Sequence, residues 1–312
     1  MREKNTFGER SKILSSDMPK IKFFLVMEGT HTEPEYFSAL EKSKVQVGIF
    51  PLIEIIEIER TFGEDNWANP KQLLDRVLLK LEEQKTGVKT YTTLIDAIED
   101  CFKNNEYLQK RKKLIKDFRI LLKNYIEKDL NKSLNDTIEN IESDVAKIKS
   151  YFEKNRPRMV ALITKNLDEA FLEQEITYDK DIDTICLIVD RDKKSFFENQ
   201  YDYVEKTCND NNIKLYLSNP CFEFWLALHF DDVLKYKEAD ISDDAKIKKD
   251  LLTFLKNQLG SFKKEKYDAY TLIDKIDTAI ANEKMFCEDI SKLKHILGSN
   301  VGKLIEELRR KR

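Results

Sequence analysis

The sequence predicts an α/β fold, a mostly parallel sheet flanked by helices with a helical hairpin subdomain inserted into it. Three observations predict it. Short apolar runs of strand length alternate with segments whose apolar residues recur at helical spacing. The stretch from about residue 86 to residue 181 is too long for a simple crossover and has a helical rhythm of its own. The 312-residue chain is 41% hydrophobic, ample for the buried core of one large domain or two modest ones.

After a polar arm, residues 1–20, "IKFFLVM" reads as a short buried strand. "EGTHTEPEYFSALEKSK" then turns and becomes helical, with Thr32 and Glu35 spaced as a capping box and Pro34 in the first turn. "LIEIIEIE" is a second strand, and Asn69-Pro70 opens a helix whose inner face is Leu73, Leu74, Val77, Leu78 and Leu81. These elements make up residues 21–85, the first part of the sheet domain. In the inserted segment, residues 86–181, Leu114, Phe118, Leu121 and Tyr125 mark one helix face. Ile138, Ile141, Val145, Ile148 and Phe152 mark another, so two coiled-coil-like helices pair around "DLNKSLND". The sheet domain resumes over 182–240: "TICLIVD" is the third strand, a helix spans Phe196 to Cys208, and "IKLYLS" is the fourth strand. The Asn219-Pro220 turn leads into a short apolar helix, "CFEFWLALHF". Residues 241–312 form a C-terminal helical region ending in the basic "LRRKR".

In a sheet of this kind ligands bind beyond the carboxyl ends of the strands, where Glu28, Asp190 and Asp192 fall. Asp190 and Asp192 are two apart and project to the same side, while Arg191 points the other way. Three carboxylates at one edge repel one another unless a cation is present. Magnesium, or manganese in its place, is the expected ion: it takes oxygen ligands and few protein carboxylates, leaving room for a phosphodiester. Each residue has a plainer reading, because aspartate is common where strands end and Glu28, like Glu33, suits the positive end of a helix.

Ser218, Asn219 and Glu223 follow the fourth strand at the same edge. Glu223 is a further catalytic candidate, as ligand or general base, against the alternative of a solvent-facing residue on a core helix. His31 lies close enough to Glu28 in sequence to contact phosphate; His229 reads first as a packed histidine, and His295 carries no expected chemistry. On the insertion, Lys110, Arg111, Lys112, Lys113, Lys116 and Arg119, with Lys123, form a stripe that either follows a phosphate backbone or is a solvated helix face.

Composition narrows the classes. The formal net charge of -3 excludes a general polycation, so any basic surface is local. No apolar run reaches the length of a membrane helix and no leader is evident, which predicts a cytoplasmic protein. The five scattered cysteines fit reduced thiols, with no disulfide and no structural zinc. No nucleophile elbow or phosphate-binding glycine loop is present, so covalent hydrolase and self-contained ATPase readings are poor.

The motifs "FLVMEGTHTEPEYF", "LIVDRD", "SNPCFEFWLALHF" and "GSNVGKLIEEL", in this order, resemble the RloB-like family, whose members look like Toprim-fold proteins. The resemblance covers roughly 20–85 and 182–312, and the helical hairpin looks like an insertion absent from the compact family pattern. It implies a Toprim-like fold with Glu28, Asp190 and Asp192 as magnesium ligands, completed by Asn219 and Glu223. His31 departs from the family's "EGxKTEP" pattern, where a lysine is more usual. The resemblance also implies an effector of restriction or anti-phage loci, with an ABC- or SMC-like ATPase encoded nearby and RNA, transfer RNA by analogy, or DNA as substrate. Two other readings stand beside the nuclease: a non-catalytic Toprim-like module that docks such an ATPase, and nucleotidyl transfer as in primases, for which no nucleotide-binding motif is seen.

Overall fold

The computed structural model describes residues 7–8, 20–58, 69–86, 89–103, 112–139, 141–155, 176–239 and 243–311. The chain divides into two compact units: a helical unit including 76–178 and a sheet unit including 20–59, 68–75 and 179–312. The N-terminal arm lies almost wholly outside the described residues, as do Lys110 and Arg111.

Five strands form the main sheet: β2 (Ile21–Met27), β3 (Ile53–Ile58), β5 (Thr184–Asp190), β6 (Lys214–Asn219) and β7 (Gly298–Ser299). Their order is β3-β2-β5-β6-β7, with the first three pairings parallel and β6–β7 antiparallel. This is the expected α/β class with a mostly parallel sheet, an arrangement compatible with a Toprim-like fold. Strands β2 and β5 read as unbroken apolar runs because both faces are covered: Phe23 to Met27 and Ile185 to Val189 are all buried. The edge strand β3 instead alternates, burying Ile53 and Ile55 and leaving Glu54 partly exposed. Strand β7 is an addition to the four predicted strands; at two residues it is too short to carry a hydrophobic pattern.

The sheet-unit helices are α1 (Thr32–Lys42), α6 (Glu198–Asp210), α7 (Phe222–Ala227), α8 (Asp244–Leu259), α9 (Ala269–Ile273), α10 (Ile276–Glu283), α11 (Ile290–Leu293) and α12 (Val301–Arg310). Helix α7 stops at Ala227, earlier than the apolar run suggested, and a 3₁₀ turn, Asp231–Tyr236, follows. In α12, Val301, Leu304, Ile305 and Leu308 are buried at helical spacing and join one core with Phe23, Leu25, Phe222 and Trp225. A Cβ at Gly302 would displace the buried Glu283 carboxylate, which accepts the Gly302 N–H at 2.9 Å.

The expected capping box does not form. His31 occupies the N-cap position of α1, so Thr32 is already helical and its hydroxyl donates to the Lys264 carbonyl at 3.4 Å. Glu33, not Glu35, reaches back to accept a backbone N–H, that of Gly29, at 3.0 Å.

In the helical unit, α3 (Tyr91–Lys103), α4 (Lys112–Lys128) and α5 (Ile141–Asn155) share one core, so the expected two-helix pair is a three-helix cluster. The buried face of α4 is Ile115, Phe118, Leu122 and Ile126; Leu121 and Tyr125 are half-buried at its margin. The face is turned by one residue from the predicted one because α3 also packs against it. Helix α2 (Pro70–Thr86) begins in the sheet unit and ends in the helical unit, where β1 (Phe7–Gly8) and β4 (Ile176–Thr177) pair in parallel.

Candidate active site

The β2–β5 register places Met27 opposite Ile188, and the Glu28 N–H continues the ladder by donating to the Ile188 carbonyl at 3.0 Å. Glu28 and Asp190 therefore leave neighbouring strands side by side, and Glu28 Oε2 accepts the Asp190 N–H at 3.0 Å. Asp190 Oδ1 accepts the Phe222 N–H at 2.8 Å, which ties the first turn of α7 to the strand end. In that turn Glu223 is 2% exposed and meets the Lys264 ammonium at 2.6 Å. Glu33 is also buried, and its carboxylate lies so close over Gly29 that a Cβ there would displace it.

These acids feel one another. Burial pushes the Asp190 carboxyl well above the usual range, and Glu33, Glu28 and Glu223 push it further, against Lys248. Burial also raises Glu33, with Glu223 adding to the shift while backbone N–H groups and Lys264 oppose it. Burial works against the Lys264 charge, but Glu223 outweighs it and lifts the ammonium to about 12.

Asp192 stands apart from this group. Strand β5 ends at Asp190, so the alternation that would have put both aspartates on one side no longer governs Asp192. Its Oδ1 accepts the Lys194 N–H at 3.0 Å, and its Oδ2 pairs with Lys248 at 3.2 Å. Burial would raise its carboxyl, but the Lys194 N–H and Lys248 hold it below the usual range. Lys248 also approaches Asp244, at 3.7 Å. The buried Arg191 guanidinium donates to the carbonyls of Lys294 and Phe196 at 2.9 and 2.6 Å.

Several candidates have structural duties. Ser218 is buried against the Ser299 hydroxyl at 3.1 Å, and Asn219 donates to the Leu293 and Ile296 carbonyls at 2.7 and 3.0 Å. Both fasten β6 to the C-terminal region instead of facing solvent, because β7 and the loop before it cover them. Asn219 Oδ1 is left buried without a hydrogen-bond partner. His229 is fully buried, accepts from the Tyr36 hydroxyl at Nε2, 3.1 Å away, and points Nδ1 at the Trp225 and Leu226 carbonyls. Burial drives it down to about 3, so it is neutral near pH 7. His31 is exposed.

On α4, Lys113 and Lys116 are exposed, and the side chain of Lys112 lies outside the described residues. Arg119 departs from the expected phosphate-binding stripe: it turns inward and pairs with Asp96 at 3.2 Å and Glu99 at 2.8 Å. A guanidinium so held is taken up by its own unit.

Sequence reasoning missed Glu33, Lys248, Asp244 and Lys264. Glu33 carried a signal in its place beside Glu28, but the helix N-terminus offered a sufficient local explanation. The lysines carried none, since the contacts that bring them to the site, Lys248 with Asp192 and Lys264 with Glu223, join residues distant in sequence.

Chemically, the site is a set of hard oxygen donors gathered at the strand ends, with ammonium groups at its margin. Among the described residues, no three His, Cys, Asp or Glu side chains are grouped so as to hold a metal ion as they stand. The donor chemistry suits a divalent cation, since Glu33, Glu28 and Glu223 crowd Asp190, with backbone N–H groups and lysines offsetting them only in part.

Fold and site together define an α/β protein with a mostly parallel sheet and an acidic cluster at its strand ends. The family model described as RloB-like protein matches residues 104–308, more than half of the chain, and the protein belongs to that family. No curated protein and no solved structure matches it. The matched span contains Asp190, Asp192, Asn219 and Glu223 and leaves Glu28, His31 and Glu33 outside. It also runs through α4 and α5, which corrects the expectation that the family pattern skips the helical segment. Among the described residues, no helix is long and apolar enough to cross a membrane.

Proposed function

We propose that this RloB-like protein is a magnesium-dependent phosphodiesterase that cuts nucleic acid, with RNA such as transfer RNA as the preferred substrate. The observation that carries the reading is the crowding of Glu28, Glu33 and Glu223 around Asp190 at the ends of parallel strands. Carboxylates crowded in this way, Glu33 and Glu223 buried and Glu28 and Asp190 half-buried, destabilise one another unless protons or cations relieve them. Glu28 and Asp190 would hold the ion, with Glu33 and Asp192 at the margin and manganese as an alternative. When bound, magnesium supplies Lewis acidity and a bound water of lowered pKa. Phe222 N–H keeps Asp190 in place, and Asp190 N–H does the same for Glu28. Glu223, close to Lys264, would take a proton from an attacking water. The RNA preference, the anti-phage role and the ABC- or SMC-like ATPase partner rest on the family resemblance alone.

The test is cleavage of labelled transfer RNA and of single- and double-stranded DNA with Mg²⁺ or Mn²⁺, comparing the wild type with Glu28→Ala and Asp190→Asn. Metal-dependent cutting lost in both variants is the expected result. Cutting that survives both removes the cluster from the mechanism.

A second reading has its own support. Backbone N–H groups engage Glu28 and Asp190, and Lys264 and Lys248 pair with Glu223 and Asp192. A non-catalytic module that docks an ATPase would keep such a lysine-compensated cluster. Calorimetric titration separates the readings: a catalytic site binds Mn²⁺ in a manner that depends on Asp190, and an inert scaffold does not.

A further inference from the structure

The turn after α8 brings a second kind of chemistry to the acidic cluster. It follows Gly260, whose positive φ of 69° ends the helix, and Lys263 and Lys266 close it with reciprocal backbone hydrogen bonds of 3.2 and 2.9 Å. Phe262 and Tyr267 anchor it from below, buried with ring centroids 5.2 Å apart. The turn is also tied to the start of α1: the Tyr267 hydroxyl donates to the Thr32 carbonyl at 2.7 Å, and the Thr32 hydroxyl to the Lys264 carbonyl. Its upper side is basic, with Lys263, Lys264 and Lys266 exposed around Glu265.

Of these, Lys264 meets the cluster, its Nζ 2.6 Å from Glu223. The pair is lopsided, because the lysine side chain is 52% exposed and the glutamate side chain 3%. The charge therefore reaches in from solvent on a flexible stem whose backbone is fixed. Lys248 differs: its side chain is 27% exposed and it is held between two carboxylates, Asp192 and Asp244.

We propose that Lys264 is the residue that binds a non-bridging phosphate oxygen of the nucleic-acid backbone, turning from Glu223 to the substrate while its anchored turn stays in place. This deepens the phosphodiesterase reading and rests on it. An ammonium beside the carboxylates gives an incoming phosphodiester a site of opposite charge in an otherwise repulsive cleft. A single lysine–phosphate contact contributes about one released counterion to the salt dependence of binding.

The experiment uses the full chain carrying Asp190→Asn, so that cleavage does not interfere. Fluorescence anisotropy follows binding of a fluorescein-labelled single-stranded RNA, and of DNA of the same sequence, over a range of KCl concentrations with Mg²⁺ present. Adding Lys264→Ala is expected to weaken binding by about tenfold near 0.1 M salt and to flatten the log–log salt slope by about 1. Lys264→Arg should restore the slope, which a packing role for the aliphatic stem does not require. Glu223→Gln, which frees the ammonium, should tighten binding more when Lys264 is present than when it is alanine. Affinity and slope unchanged by Lys264→Ala, in a parent that binds, overturn the assignment of Lys264 and leave the phosphodiesterase reading standing. A parent that binds neither RNA nor DNA overturns both.

Discussion

In the helical unit the buried ion network draws Arg76 and Arg119 against Asp96 and Glu99; in the sheet unit Glu28, Glu33, Asp190 and Glu223 gather at the strand ends with Lys264 beside them. The first group balances its charges and joins three helices, α2, α3 and α4. The second has an excess of acid, and Asp190 and Glu33 bear that excess as carboxyls raised above the usual range. Matched burial of charge holds a fold in one arrangement, whereas unmatched burial at a strand end keeps a capacity for something positive.

The largest effect should come from unbalancing the matched group. Arg119→Met leaves Glu99, which is fully buried, without its guanidinium, and should cost about 3–5 kcal/mol in urea unfolding. The double variant Arg119→Met/Glu99→Met should recover much of that loss. If the single variant costs nothing, the network is not the helical unit's fastening.

Next comes Asp190→Asn, which should lower nucleic-acid cleavage by at least about 100-fold, the scale seen when a group stabilising transition-state charge is removed. Its thermal midpoint near neutral pH should hold or rise, because a half-buried acid crowded by other carboxylates becomes a neutral amide. A large loss of stability together with activity would return Asp190 to an ordinary structural role.

Acidity sharpens the contrast further. In the sheet unit, burial lifts Glu283 to about 8, against the Gly302 N–H that it accepts. The folded chain then holds that proton more tightly than the unfolded chain. The group's contribution to stability is full below its ordinary value of 4.5 and is lost as pH rises through about 8. Glu283→Gln should therefore raise the melting temperature by a few degrees at pH 8 and by less at pH 5. In the helical unit Asp144 has the opposite sign: burial would raise it, but hydrogen bonds from Lys147 and Tyr91 hold it below 3.8. Its contribution is present above that value and is lost as pH falls through the depressed one. Asp144→Asn should cost about 1 kcal/mol at pH 7 and nothing in strong acid, the smallest of these effects.

The predicted strands agree closely with those observed because buried parallel strands are continuous apolar runs that need no partner to be recognised, as in "IKFFLVM" and "TICLIVD". The strand ends were legible for the same reason, and Glu28 and Asp190 with them. Asp192 was less so: its side depends on how far β5 extends, and one residue of irregular backbone redirects it. Arg119 could not be told from its lysine neighbours without Asp96 and Glu99, which lie on another helix. Lys264 and Lys248 are site residues only through contacts across long stretches of chain, for which periodicity holds no information. The two-residue β7 likewise exists through its pairing with β6 and a bridge to Cys287, neither of which is local in sequence.

Helix α7 carries Trp225, fully buried, with Tyr36 and His229 edge-on at ring-centroid distances of 6.1 and 5.1 Å. The same helix begins at the N–H that holds Asp190. Since His229 gains a proton only near about 3, this indole keeps an uncharged imidazole neighbour across ordinary buffers. The chain has two tryptophans, so with Trp67→Phe the remaining emission comes from one residue. Its colour and lifetime then become an optical record of how firmly α7 is seated against the strand ends, readable as cation or RNA is added.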